Sequence, residues 1–195
     1  MILPIVAYGH PVLRNVATEI DAGYPDLLKL IEDMWETMYA SNGVGLAAPQ
    51  VNKPIRLFIM DSAQIFANKD DNDPEEKKYP DAPGIKQLFI NPKVLELHGD
   101  DWPYNEGCLS IPKIREDINR AEEVTIEFQD ETFTKHTKRF NGITARIILH
   151  EYDHIEGKLF IDYLSPLKKR LLQRKLNEIT KGAVKVDYRM LFPKK

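Results

Sequence analysis

Apolar side chains in PDLLKLIEDMWETMYA (25–40) fall at Leu27, Leu28, Ile31, Met34, Trp35 and Met38. That three-and-four spacing is one face of a helix, with Pro25 where a helix can begin. The helix runs into SNGVGLAAPQ (41–50), where Gly43, Gly45 and Pro49 predict irregular backbone that can come close to another group. PIRLFIMD (54–61) has the length and apolar density of a strand. From 67 to 84, ANKDDNDPEEKKYPDAPG carries almost no large apolar side chain, which predicts a solvated surface loop. Strand-like runs return at 87–99, 122–130 and 132–141, the last two joined as a hairpin at Asp130 and Glu131. Helical spacing resumes over 142–156 at Ile143, Ile147, Ile148, Leu149 and Ile155, with Gly157 as the stop. A last helix opens at Ser165 and Pro166, a cap followed by a first-turn proline, and closes at Gly182. The 183–195 tail begins AVKVDYRMLFP, which alternates like an edge strand. These elements predict one α+β domain over 1–195. Its short, mainly antiparallel sheets surround a central helix, with an N-terminal and a C-terminal helix outside them.

Composition narrows the functional classes. The chain has 195 residues, 43% of them hydrophobic, and a formal net charge of -3 with pI near 6.0. This gives no general attraction to nucleic acid or anionic membrane. MILPIVAYGHPVLR lacks a basic leader and is broken by Pro4 and Gly9, so it does not read as a signal peptide, and no run is apolar enough to span a bilayer. One cysteine cannot form an internal disulfide, which together with the missing signal predicts a reducing cytoplasm. Cys108 then needs its own explanation.

LHEYDHIEG (149–157) brings candidate chemistry to the 142–156 helix. His150 and His154 are one turn apart and project from nearly the same side, so both imidazoles can reach one ion. Glu151 between them is placed to act as general base on a water at that ion without being a ligand, the logic of the H-E-x-x-H pattern. A catalytic site needs a third ligand. Phe160, where one class of zinc proteases has its third histidine, cannot bind metal. Glu178 has the sequence distance of the ligand in the other large protease class, but it sits among lysines and arginines that explain it as a surface ion pair. Cys108, in the Pro-bounded segment NEGCLSIP, is the alternative, since a thiolate there can face the helix across a groove.

Three segments agree on one family. GVGLAAPQ (43–50), EGCLS (106–110) and HEYDH (150–154) resemble, in order and approximate spacing, the signature motifs of the peptide deformylases. The resemblance extends from YGHPVLR to the helix beginning at Pro166. Leu149 stands where many members carry glutamine, at a position that is not a ligand. The resemblance implies removal of the formyl group from the initiator methionine of nascent proteins. It implies Cys108, His150 and His154 as metal ligands and Glu151 as acid/base. It also implies Gln50 and the backbone N–H of Leu109 as donors to the oxyanion, and Fe²⁺ as the cellular ion, with Ni²⁺, Co²⁺ or Zn²⁺ able to substitute.

For such a substrate, a tight site admits only the small formyl group, and an apolar pocket takes the methionine side chain, with Val44, Gly45 and Ile147 as lining. Main-chain pairing near Gly45 and Gly107 would accept any following sequence. The basic helix 166–181 suggests a weak contact with ribosomal RNA, without sequence-specific nucleic-acid binding. The competing readings are a zinc endopeptidase using the same helix and a non-catalytic module stapled by metal. A structural site needs four protein ligands, and the chain offers three.

Overall fold

The computed structural model describes residues 1–67, 81 and 83–193. In chain order the elements are β1 (Ile5–Val6), α1 (Leu27–Ala40), β2 (Gly45–Ala47), β3 (Leu57–Asp61), α2 (Ala63–Ala67), β4 (Lys86–Cys108), β5 (Ile111–Gln129), β6 (Lys135–Asn141), α3 (Gly142–Ile155), α4 (Pro166–Thr180) and β7 (Met190–Leu191). Single turns of 3-10 helix occupy Pro11–Arg14, Ala48–Val51 and Phe160–Tyr163. Strands β2 to β6 form one antiparallel sheet in sequence order, and β1 pairs with β7 in a separate two-stranded sheet.

The antiparallel α+β reading holds, but two of the five strands in the main sheet are long. β4 and β5 run 23 and 19 residues. The run expected over 87–99 continues past Gly99 to Cys108, with register shifts at Ile90/Lys93, Val94/Glu96 and His98/Asp101. Asn91 (φ 47) and Gly99 (φ 73) take the left-handed conformation at two of these bulges. Bulges let a strand absorb a proline or an extra residue by bending instead of ending. A further shift at Gly107/Cys108 leads to the pairing of Cys108 with Ile111, so Leu109 and Ser110 form the tip of the β4–β5 hairpin.

Three other sequence expectations are revised. Gly45 does not lie in irregular backbone: Gly45–Ala47 is a strand paired with Phe58–Met60. The α2 helix, Ala63–Ala67, overlaps the start of the expected 67–84 loop, most of which lies outside the described residues. Of that stretch, Asp81 has a defined task, accepting a hydrogen bond from Thr144 N at 2.7 Å in the first turn of α3. Finally, the tail alternates in burial, with Val184, Val186, Tyr188 and Met190 half-buried, but only Met190 and Leu191 pair, in parallel, with Ile5 and Val6. The β5–β6 hairpin turns at 130–134 as expected, held by Asp130 Oδ1 accepting from the amides of Thr132 and Thr134.

α3 is buried along almost its whole length. Ile143, Ile147, Ile148 and Leu149 pack with Phe58, Phe89, Val124, Ile126 and Phe128 of the sheet. At about 25 cal/mol per Å² of apolar surface removed from water, such packing fixes the helix far more firmly than its own propensity does. α1 packs Leu30, Met34 and Met38 on a second cluster with Leu46, Leu57 and Ile59. Ser165 Oγ accepts from Lys168 N, the expected cap of α4, which buries Leu172, Leu176 and Ile179.

Candidate active site

The buried side of α3 and the tip of the β4–β5 hairpin meet beneath β2. The ligand atoms of Cys108, His150 and His154 lie within 4.8 Å of one another, and Cys108 Sγ is 3.2 Å from His154 Nε2. A thiolate and two imidazoles are a donor set for a borderline transition-metal ion. His150 Nδ1 is 2.8 Å from Glu106 Oε2. A carboxylate at that nitrogen keeps the proton there and leaves the Nε2 lone pair for an ion, so the residues fit a metal. Burial lowers the basicity of His154 well below the ordinary histidine value and keeps it neutral, the state in which a ring nitrogen coordinates. At His150 burial acts in the same sense, but contacts with Cys108 and Glu106 overcome it.

Glu106 is the hub of a buried ionic network. Arg120 donates to both its oxygens at 2.7 and 3.1 Å, and Arg146 Nη1 donates to Oε1 at 3.0 Å. Arg120 also reaches Asp153 Oδ2 at 2.6 Å, and Tyr163 donates to Asp153 Oδ1 at 3.0 Å. Burial disfavours the Glu106 anion, yet the bonds to His150 and Arg120 prevail and hold its carboxyl well below the usual range.

Glu151, only 4% exposed, lies on the same turn of α3. Burial pushes its carboxyl up to about 7, against the opposing influence of His150. Its Oε2 is buried with no hydrogen-bond partner among the described residues, as is His154 Nδ1. Gly45 makes room for this carboxylate: a Cβ there would come within 2.7 Å of Glu151 Cδ. Gln50 is oriented from both ends of its amide. Its Oε1 accepts from Ala47 N at 2.9 Å, while Nε2 points at Cys108 Sγ (3.4 Å) and Ser110 Oγ (3.2 Å).

A cavity of about 580 Å³ opens over these groups. Its walls bring together Val44, Gly45, Gln50, Gly107, Cys108, Leu109, Ile147, His150 and Glu151, each singled out from the sequence, while His154 reaches the cluster from the next turn of the helix. Glu178 is not part of the cluster and pairs with Arg174 on α4 at 3.2 Å. Phe160 is buried and stacks on the His150 ring at 6.1 Å between centroids. Leu149 belongs to the core.

Sequence reasoning missed Glu106, Asp153, Arg120 and Arg146. The first two sit inside the quoted motifs, EGCLS and HEYDH, where their adjacency to the candidate ligands was the available signal. The arginines lie among charged and apolar residues with no local mark, because what makes them unusual is their burial, and burial is a property of the assembled fold.

Comparison with known proteins agrees with this geometry. A family profile described as polypeptide deformylase matches residues 2–170. Peptide deformylases of Christiangramia forsetii and Flavobacterium johnsoniae are each 53% identical to the chain, over 99% and 98% of its length and 97% and 96% of their own. The crystal structure of a peptide deformylase from Legionella pneumophila superposes with a TM-score of 0.78 at 33% identity, covering 95% of this chain and 99% of that one. The chain belongs to the polypeptide deformylase family, metal-dependent amide hydrolases that remove the N-formyl group from nascent peptides.

Proposed function

We propose that Cys108, His150 and His154 hold the metal and that Glu151 is the acid/base residue of deformylation. The observation that carries this is the convergence of the three candidate ligand atoms within 4.8 Å beside a buried carboxyl whose Oε2 has no hydrogen-bond partner among the described residues. A divalent ion bound there supplies an activated water and a Lewis acid for the formyl oxygen. Glu151 takes the attacking water's proton and returns it to the leaving amine, and a carboxyl pushed up to about 7 is poised for both transfers near neutral pH. Gln50 Nε2, held in place by the Ala47 bond, and the N–H of Leu109 donate to the oxygen that becomes negative. Gly45 packs its backbone directly against Glu151, which narrows the site beside the carboxyl and suits a formyl group over bulkier acyl groups. Val44 and Ile147 offer apolar surface to the methionine side chain, and the backbone at Gly45 and Gly107 offers pairing groups to the peptide that follows.

Fe²⁺ is the ion we assign in the cell, with Ni²⁺, Co²⁺ or Zn²⁺ able to take its place in the same donor set. The whole chain is read as one catalytic domain acting in the cytoplasm, and no helix among the described residues is long and apolar enough to cross a membrane. α4 carries Lys168, Lys169, Arg170, Arg174 and Lys175, which supports a weak, salt-sensitive contact with ribosomal RNA. The endopeptidase reading is not favoured, since its candidate third ligand, Glu178, is engaged elsewhere. Formate release from formyl-Met-Ala-Ser, run beside a peptide cleavable only at internal bonds, tests the assignment. Cleavage of the second without formate from the first would overturn it.

A further inference from the structure

The segment after Gly182 does not simply trail from α4. Lys185, Val186, Asp187 and Tyr188 line the same cavity as Glu151 and Cys108. The segment is pinned beyond that point: Arg189 O and Leu191 O accept from Ile5 N and Ala7 N, both at 2.8 Å. From this anchored stretch Tyr188 donates its hydroxyl to Leu109 O at 2.7 Å, and Tyr8 N bonds Ser110 O at 2.8 Å. The two-residue hairpin tip is thereby tied to the N-terminal and C-terminal segments at successive carbonyls.

We propose that residues 185–188 form the outer wall of the substrate cleft and that Tyr188 is a positioning residue: it holds the Leu109–Ser110 peptide group and, through the Leu109 Cα, restrains the preceding peptide, whose N–H is directed at the reacting carbonyl. Fixing the carbonyl of Leu109 limits rotation about its Cα–C bond, and the paired Cys108 limits the other side. Without the tyrosine bond the tip keeps its strand anchors but gains freedom in the peptide that follows the donor residue. The inference rests on the deformylase reading. If the parent protein releases no formate, that reading fails. If the parent is active, the variants below decide this one.

The test is Tyr188→Phe in the zinc-loaded full chain, with metal content, melting temperature, steady-state kinetics on formyl-Met-Ala-Ser and amide hydrogen exchange at Leu109 and Ser110 all measured. The expected result is unchanged metal content, faster exchange at the two tip amides, and a kcat lower by roughly three- to tenfold with little change in KM. A fall of a hundredfold or more, or a fall without faster exchange, would mean that Tyr188 acts on substrate directly. Unchanged kcat, or a loss that tracks lost metal, would also overturn the positioning role. For the wall, Val186→Ala should raise KM for formyl-Met-Ala-Ser by roughly two- to fourfold relative to formyl-Met-Ala. An equal effect on both substrates, or none, removes the wall.

Discussion

At the scale of single residues, the proposed roles divide holding an ion from moving a proton. Glu151→Gln leaves the three ligand side chains in place, so the protein should retain its metal while formate release falls by about 10²-fold or more. Metal analysis and kinetics on the same preparation check it, and metal loss would make Glu151 a structural group. Cys108→Ala should do the reverse and release the ion during dialysis. Gly45→Ala tests the space beside the carboxylate. A methyl group there collides with the Glu151 carboxyl and must displace it from its place beside the candidate ligands, so turnover should drop while the fold survives.

At the scale of elements, the long hairpin and α3 are locked together by Glu106, Arg120, Arg146 and Asp153. Removing one partner of a buried charge network strands the others. Glu106→Ala should therefore cost about 3–5 kcal/mol in unfolding free energy, measured by denaturant titration. Loss of the support behind His150 should also weaken metal binding about 10- to 100-fold. Another tie joins the Pro11–Arg14 turn to the Phe160–Tyr163 turn, where Arg14 grips Asp162 at 2.5 and 3.1 Å. Burial would raise the carboxyl of Asp162, but the bonds from Arg14 and the Leu159 amide, with the nearby positive charges, together outweigh it and lower the folded-state value below the unfolded one. A depressed carboxylate contributes stability that is present above the unfolded pKa, about 3.9, and is lost as pH falls through the folded one. The difference in melting temperature between the parent and Asp162→Asn should thus be full at pH 7 and close below about pH 4. A gap that persists at pH 2 would show that the charge is not its source.

At the scale of the whole molecule, the question is which ion the finished cavity works with best. One thiolate and two imidazoles accept several divalent ions, so selection falls to geometry and supply. Protein stripped with a chelator and reloaded anaerobically with Fe²⁺, or with Ni²⁺ or Co²⁺, should release formate faster than the Zn²⁺ form at matched occupancy. Zn²⁺ should still raise the melting temperature over the stripped protein, because any ion that binds only the folded state stabilises it. A zinc form as fast as the iron and nickel forms would refute the preference.

The sequence by itself determined the chemistry and the local frame. One helical turn between His150 and His154 follows from 3.6 residues per turn wherever the helix lies, and the helices at 25–40 and 165–182 are written in their apolar spacing and caps. Two short motifs, EGCLS and HEYDH, supplied the proposed ligands because a donor atom is a property of its residue. What only tertiary structure decided was every relation across the chain. Pro92, Gly99 and Pro103 are strand breakers by local rule, and only the bulged pairing of β4 with β5 overrides them. The tail's alternation showed in the sequence, but its place beside Leu109 depends on β7 meeting β1, residues that lie at opposite ends of the chain. Arg120 and Arg146 have the composition of surface residues. Their burial against Glu106 exists because the sheet and α3 close over them, and no local pattern encodes which carboxylate a buried arginine will find.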